Sequence, residues 1–224
     1  MNRVVTVGVV DSGFSRDQAQ TVDCAAAFVV DSEMLVQRET QYDCVQHGTA
    51  VIRAITTTAP AARLAVAQVF TERFTTTPSQ VAAAIHWLLE QQVDLINLSL
   101  GLRADRPVLQ AACAAAAAAG IPLCAATPAR GDPVFPAAYS GVLRMTGDAR
   151  CKETEWSCLE TRYADFGAFV RSSDSRVAGA SIGTGYLSGH IAAYLATGRA
   201  ADVDSIRRYL RENACYFGAE RRTG

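Results

Sequence analysis

Four continuous runs of apolar residues constrain the fold of this chain more than any other feature. The runs are rich in β-branched residues and alanine, and they largely lack the polar alternation of a half-exposed strand. A strand whose side chains are apolar on both faces is typical of a parallel sheet that is covered by helices. The four predicted strands lie at residues 4–10, 64–70, 95–100 and 121–126.

Helix-like segments separate these runs. Residues 78–91 place apolar side chains on one helical face, with Thr77 as the cap and Pro78 in the first turn. Residues 108–119 form another helix that ends at Gly120. Further helices are predicted at 47–55, from Ser181 to near 198 and at 204–213, and shorter strands at 27–30, 142–145 and 166–170. This alternation predicts a doubly wound α/β fold, a mainly parallel sheet with helices on both faces, in one domain over residues 1–224.

Composition excludes several classes of protein. Hydrophobic residues make up 50% and charged residues 19% of the 224 residues, so the chain can bury a sizeable core. A formal net charge of −1 provides no basic surface for nucleic acid or an anionic membrane. The most apolar stretch, 107–126, is interrupted by Gly120 and Pro122, which argues against a membrane span.

The start of the chain and its cysteines bear on its compartment. The sequence enters its first strand without a secretory signal, so we expect a cytoplasmic protein without a pro-segment. We expect its cysteines to be reduced, with a Cys151–Cys158 disulfide as the alternative. The cysteines are Cys24, Cys44, Cys113, Cys124, Cys151, Cys158 and Cys215.

Three polar residues follow the predicted strands or begin the predicted helices. Asp11 directly follows the first strand, His47 begins the first helix, and Ser181 begins the late helix. Ligands of doubly wound folds bind at the carboxyl ends of the strands, so we expect all three residues at one edge of the sheet. A serine needs a base to take its proton, and the base needs a carboxylate to fix its tautomer. The three residues therefore predict nucleophilic catalysis, although Ser181 alone is more readily explained as a helix N-cap.

The positions of the other histidines favour His47 as the base. His190 lies nine residues after Ser181 on the same predicted helix, too far along its axis for contact at about 1.5 Å per residue. His86 lies within the helix at 78–91, where a structural or surface role explains it. An α/β-hydrolase has its catalytic histidine after the serine, so the position of His190 also argues against an esterase of that class.

Together these segments resemble the motifs of subtilisin-like serine proteases. Residues 9–13 (Val-Val-Asp-Ser-Gly) resemble the aspartate motif, 47–51 (His-Gly-Thr-Ala-Val) the histidine motif and 179–184 (Gly-Ala-Ser-Ile-Gly-Thr) the serine motif. Residues 96–101 resemble the strand that lines the substrate cleft, and 135–142 resemble a further family segment. The matches follow the family order, so the resemblance implies a subtilisin-like fold with Asp11, His47 and Ser181 as the catalytic triad. It implies neither a cofactor nor a metal, and acidic calcium-binding loops are not evident.

Two alignments of the serine motif are open. In the first, Ser181 is the nucleophile and Gly183 replaces the alanine of the family. In the second, Gly183-Thr184-Gly185 matches Gly-Thr-Ser of the family, and a glycine then stands at the nucleophile position. The first alignment retains a complete triad, so we favour it.

The resemblance also implies where substrate binds and where this chain departs from the family. An extended peptide would lie along Ser99, Leu100 and Gly101, with a facing wall formed by Ala125, Ala126 and Thr127. Pro128 stands where the family has an asparagine that donates to the oxyanion, and proline has no N–H group. Loss of one such donor costs about 10²–10³ in turnover. We therefore expect a slow protease in which the Ser181 N–H and the Thr127 hydroxyl stabilise the oxyanion.

A slow, compact protease suits the processing of one precursor better than general degradation. Among subtilases the chain resembles the small leader-processing proteases of quinohemoprotein amine dehydrogenase maturation. That resemblance implies a peptide or protein precursor as substrate, the γ subunit, and a radical-SAM enzyme as a partner in maturation. The alternative is a catalytically inactive subtilisin-like module that binds a peptide.

Overall fold

A computed structural model describes residues 3–71, 74–172 and 177–220. Within these ranges the chain forms one mixed sheet of ten strands flanked by α-helices. The strands are β1 (Thr6–Asp11), β2 (Val22–Asp31), β3 (Met34–Arg38), β4 (Arg63–Gln68), β5 (Leu95–Leu98), β6 (Leu123–Ala126), β7 (Leu143–Gly147), β8 (Trp156–Cys158), β9 (Phe166–Ala168) and β10 (Tyr216–Phe217). The helices are α1 (His47–Thr58), α2 (Pro78–Glu90), α3 (Pro107–Ala118), α4 (Ala180–Ala196) and α5 (Val203–Glu212).

The sheet is mainly parallel. The strand order is β10-β8-β9-β7-β6-β5-β1-β4-β2-β3, and only the β2–β3 and β8–β9 pairs are antiparallel. Side chains of β1 enter buried clusters on both faces, Val7 and Val9 in one and Val10 in the other. One cluster includes residues of α1, α4 and α5, and the other includes residues of α2 and α3. The predicted α/β class, a mainly parallel sheet with helices on both faces, is confirmed.

Most predicted elements lie within a few residues of the observed ones. Helix α2 begins at Pro78, and its cap Thr77 accepts a hydrogen bond from the Gln80 backbone N–H. The strand predicted at 27–30 is part of the longer β2, while β3, β8 and β10 were not predicted.

The structure shows no disulfide at any of the seven cysteines, including Cys151 and Cys158. Within the described ranges, no helix has both the length and the apolarity needed to cross a membrane.

His190 lies in the core formed by α4 and β8. Its ring is only 9% exposed and contacts the Trp156 ring with centroids 4.6 Å apart. Its Nε2 atom has no hydrogen-bond partner among the described residues. Burial lowers the pKa of His190 from 6.5 to about 4, and a backbone hydrogen bond of Glu153 only partly opposes this effect. His86, by contrast, is exposed on α2, in agreement with the surface role expected for it.

The buried His190 should make the fold sensitive to acid. Between pH 6.5 and about 4 the unfolded chain takes up a proton at this histidine while the folded chain does not, so stability falls as the pH falls through that window. The difference between these two pKa values corresponds to a loss of about 3 kcal/mol of unfolding free energy. We expect urea titrations of His190→Phe to show a weaker pH dependence, while His86→Gln retains that of the wild type. Identical pH dependence in His190→Phe and wild type would contradict this account.

Candidate active site

The candidate site lies at the topological switch point of the sheet, where strands that follow β1 in the chain are placed on opposite sides of it. Strand β1 has β4 on one side and β5 on the other, and the carboxyl ends of all three strands lie at one edge of the sheet. Asp11 is the last residue of β1, and Ser99 follows β5 directly. Ligands of doubly wound folds bind in the crevice at such a reversal.

Asp11 and His47 form a buried pair. Asp11 Oδ1 lies 2.7 Å from His47 Nδ1 and also accepts a hydrogen bond of 2.7 Å from the Ser12 backbone N–H. The Asp11 side chain has no solvent exposure, and that of His47 is 13% exposed. This hydrogen bond fixes the ring so that Nδ1 carries a proton, which leaves Nε2 as the basic atom.

Two contacts fix the helix that carries His47. The Asp43 carboxylate accepts hydrogen bonds from the Thr49 backbone N–H at 2.9 Å and from the Thr49 hydroxyl at 2.8 Å. The Gly48 backbone N–H donates to Ser12 Oγ at 2.8 Å, which ties α1 to the end of β1. A Cβ atom at Gly48 would lie 2.3 Å from the Gly13 carbonyl oxygen, so only glycine allows this approach. Asp43 and Ser12 thus position His47, a role that their places in the sequence did not indicate.

The pKa of His47 lies above its ordinary value of 6.5. Burial of the ring lowers this pKa, but the charge of Asp11 and its hydrogen bond raise it, and the charge of Asp43 adds to them. The net direction shows that the site stabilises an imidazolium. A base that removes a proton from a nucleophile becomes an imidazolium, so the electrostatics suit that role.

Ser181 lies in the first turn of α4, beside the exit of β5. Its hydroxyl donates to the Ser99 carbonyl oxygen at 3.1 Å, and the Ser99 hydroxyl donates to the Ser181 carbonyl oxygen at 3.1 Å. Among the described residues no hydrogen bond joins Ser181 to His47. Because Val10 pairs with Leu98, Asp11 and Ser99 leave neighbouring strands, which lie about 4.8 Å apart. The structure therefore brings Asp11 and His47 into contact and places Ser181, on α4, beside the exit of the adjacent strand.

A buried polar chain holds the start of α4 against β5. The Ser188 hydroxyl donates to Asn97 Oδ1 at 3.0 Å, and Asn97 Nδ2 donates to the Ser99 hydroxyl at 2.9 Å. Asn97 and Ser188 have no solvent exposure. Sequence reasoning gave neither of them a separate role, although a polar residue within the apolar run 95–100 was a usable signal. Their effect is to fix Ser99, and through Ser99 the first turn that carries Ser181.

The structure discriminates between the two alignments of the serine motif. Gly185, the nucleophile position of the second alignment, lies inside α4 and faces α1. A Cβ atom at Gly185 would lie 3.0 Å from both Ala54 Cβ and the Val51 carbonyl oxygen, so this position has no access to substrate. Ser181, by contrast, lies in the first turn of α4, is only partly buried and contacts Ser99 at the edge of the sheet.

The predicted substrate residues lie at or directly after the carboxyl ends of the neighbouring strands β5 and β6. Ser99, Leu100 and Gly101 continue from β5, and Leu102 then forms an antiparallel bridge with Phe135. Ala125 and Ala126 end β6 with their side chains buried. Beyond this strand the Thr127 backbone N–H donates to the Met145 carbonyl oxygen at 2.8 Å. Pro128, the next residue, is exposed.

Two open grooves flank this region. One of about 700 Å³ includes Thr127 and Val134 in its lining. The other, of about 1300 Å³, includes Gly147 and Val170. Gly147 packs against Gly179, which directly precedes α4, so the larger groove adjoins the segment that carries Ser181. Of the predicted substrate residues, Thr127 lines the smaller groove.

Comparison with known families identifies the class of protein. The sequence profile of the subtilase family, Peptidase_S8, matches residues 2–143, which is more than half of the chain. This chain belongs to the subtilase family. The matched region contains Asp11, His47 and the residues expected to contact substrate, and it ends before Ser181.

Individual relatives agree with this assignment. The chain is 34% identical over 149 residues to the subtilisin-like protease het-Q2 of Podospora anserina, an alignment that covers 62% of this chain and 39% of that protein. The chain therefore spans about two fifths of the length of this relative.

Solved structures of proteases share the fold. The nisin leader peptidase NisP from Lactococcus lactis superposes with a TM-score of 0.72 at 17% identity, covering 92% of this chain and 81% of NisP. A cold-adapted subtilisin-like serine proteinase gives 0.71 at 18% identity, covering 94% and 84%. At these identities the similarity establishes the subtilisin-like fold alone.

Proposed function

We propose that this subtilase is a serine endopeptidase in which Asp11, His47 and Ser181 form the triad. The observation that carries the proposal is the buried Asp11–His47 pair at the end of β1, together with a serine on α4 that is hydrogen-bonded to the exit of the neighbouring strand β5. His47 Nε2 takes the Ser181 hydroxyl proton as Oγ attacks the peptide carbonyl, and the imidazolium then protonates the leaving amine. Water hydrolyses the resulting acyl-enzyme by the same proton transfers in reverse order. The hydrogen bond between a catalytic serine and its histidine is often long or poorly aligned until substrate binds.

The oxyanion would be stabilised by a reduced set of donors. The Ser181 N–H belongs to the first turn of α4, where backbone N–H groups lack helical partners and the helix dipole favours negative charge. Pro128 supplies no N–H group, and the Thr127 N–H is already bonded to Met145. The Thr127 hydroxyl is the further donor that we assign to this role. The enzyme should therefore be slow, as expected for one that processes a single precursor.

We propose that the substrate is a peptide or protein precursor bound along Ser99, Leu100 and Gly101, opposite Ala125, Ala126 and Thr127. NisP, a structural relative, is by its name a leader peptidase. The specific candidate is the γ-subunit precursor of quinohemoprotein amine dehydrogenase, processed together with a radical-SAM enzyme. Thiols without disulfides are typical of a reducing compartment and support a cytoplasmic location. Mass spectrometry of that precursor, incubated with wild type and with Ser181→Ala, tests the assignment directly.

A second candidate function is an inactive subtilase that binds a peptide without cleaving it. Two observations favour it: the Ser181 hydroxyl bonds to Ser99 rather than to His47, and Pro128 removes an oxyanion donor. The buried Asp11–His47 pair favours the protease, because a binding module has no need for a base of raised pKa.

Labelling with a fluorophosphonate distinguishes the two functions. We expect the wild-type protein to be labelled at Ser181 and Ser181→Ala to be unlabelled, since the reagent needs an activated serine. Ser79→Ala is the matched control, because Ser79 also occupies the second position of a helix, α2, and is exposed. It should be labelled like wild type. If wild type and Ser79→Ala remain unlabelled, the chain is the binding module.

A further inference from the structure

The side chain of Phe74 covers the candidate catalytic base. Its ring centroid lies 4.8 Å from that of His47, with the planes tilted by 60°. On its other side Phe74 stacks on Phe70 with centroids 4.6 Å apart and planes at 17°. Phe70 is only 4% exposed, so it supports Phe74 from the core. Phe74 itself is 54% exposed, so much of its ring is accessible to solvent beside His47.

The sheet order determines which part of a substrate meets this ring. Strand β5, which leads into Ser99–Gly101, lies between β6 on one side and β1, which leads to the Asp11–His47 pair, on the other. Consecutive side chains of an extended peptide point in opposite directions. If the residue attacked by Ser181, called P1, points toward Ala126 and Thr127, the preceding residue, called P2, points toward His47 and Phe74.

We propose that Phe74 is a specificity-determining residue that restricts P2 to glycine or alanine. This inference rests on the proposed protease function. The aromatic ring occupies the space above the imidazole, and the buried Phe70 prevents it from withdrawing into the protein. A larger P2 side chain would have to displace Phe74 and break both ring contacts. The substrate class is therefore a precursor peptide with a small residue immediately before P1.

The test uses two peptidyl fluorophosphonate probes that differ only in P2, glycine against leucine. We expect the wild-type protein to react at least about tenfold faster with the glycine probe, the range in which a few misfitting methyl groups discriminate. In Phe74→Ala the ratio of the rate with the glycine probe to the rate with the leucine probe should fall toward one, chiefly because the leucine probe reacts faster. Met34→Ala is the control, since Met34 is an exposed apolar residue on the edge strand β3. It should retain the wild-type ratio.

The outcomes separate this inference from the proposed function. A ratio that is unchanged in Phe74→Ala, or a wild-type preference for leucine, overturns the role of Phe74 while labelling at Ser181 upholds the protease. Absence of labelling by either probe in wild type and both variants overturns the protease function and this inference with it. Loss of the preference for the glycine probe in both Phe74→Ala and Met34→Ala also overturns the inference, because the effect would then not be specific to Phe74.

Discussion

Asp11→Asn is expected to lower the rate of fluorophosphonate labelling and of peptide cleavage by about 10⁴-fold. The amide preserves the shape of the side chain but turns a donor group or a neutral acceptor toward His47 Nδ1, 2.7 Å away in the wild type. The ring then loses the tautomer that leaves Nε2 basic, and the developing imidazolium loses its counter-charge. Stability should change little by comparison, so the unfolding midpoint serves as the check that the variant is folded.

The pH dependence of labelling provides an independent test of the same pair. The base must be neutral, so the wild-type rate should rise with pH through a midpoint above 6.5, the direction set by Asp11. In Asp11→Asn the midpoint should move down, because the variant lacks the negative charge that does most to raise the pKa of His47. Asp94→Asn is a suitable control, since Asp94 accepts a hydrogen bond from the Thr6 N–H at the opposite end of β1. An unshifted midpoint in Asp11→Asn would show that the titrating base is not His47.

The sequence predicts the central strands well because burial on both faces leaves a continuous apolar run. Of the β2–β3 hairpin it predicts only residues 27–30, because most residues of the two strands are half-buried or exposed at the sheet edge. The turn of this hairpin uses Ser32 and Glu33, both with positive φ, at 49° and 67°. Such turns ordinarily carry glycine or asparagine, so the sequence contains no local signal for this one. Strands β8 and β10 are too short, at three and two residues, to show a periodic pattern.

The site is predictable to the extent that each residue is adjacent to a recognisable strand or helix. Asp11, His47 and Ser181 satisfy that condition, but the contacts that position His47 do not. Helix α1 follows Gln46, a left-handed residue without a side-chain cap, and Asp43 stabilises the first turn from further upstream. No standard capping pattern marks such an arrangement. The contact between His47 and Phe74 depends on how the first residue of α1 is placed relative to the segment between β4 and α2, which only the tertiary structure defines.

Pro128→Asn is expected to raise turnover by about 100-fold or more, the gain that corresponds to restoring one oxyanion donor. The structure should tolerate this substitution, because Pro128 is exposed and follows Thr127 just beyond the end of β6. An oxyanion donor acts mainly in the transition state, so kcat should rise while KM stays nearly constant. Turnover of a tripeptide p-nitroanilide with glycine at P2 measures both constants.

Two further variants identify the donor that operates in the wild type. Pro128→Ala restores a backbone N–H without an amide side chain and should stay within a few-fold of wild type. Thr127→Val removes the hydroxyl that we assign to the oxyanion, and it should lower turnover more in wild type than in Pro128→Asn, where asparagine supplies a second donor. If Thr127→Val is harmless and the wild type turns over as fast as Pro128→Asn, Pro128 does not limit catalysis. A complete set of donors would then already exist elsewhere in the cleft, and the low activity expected of a single-precursor protease would lose its physical basis.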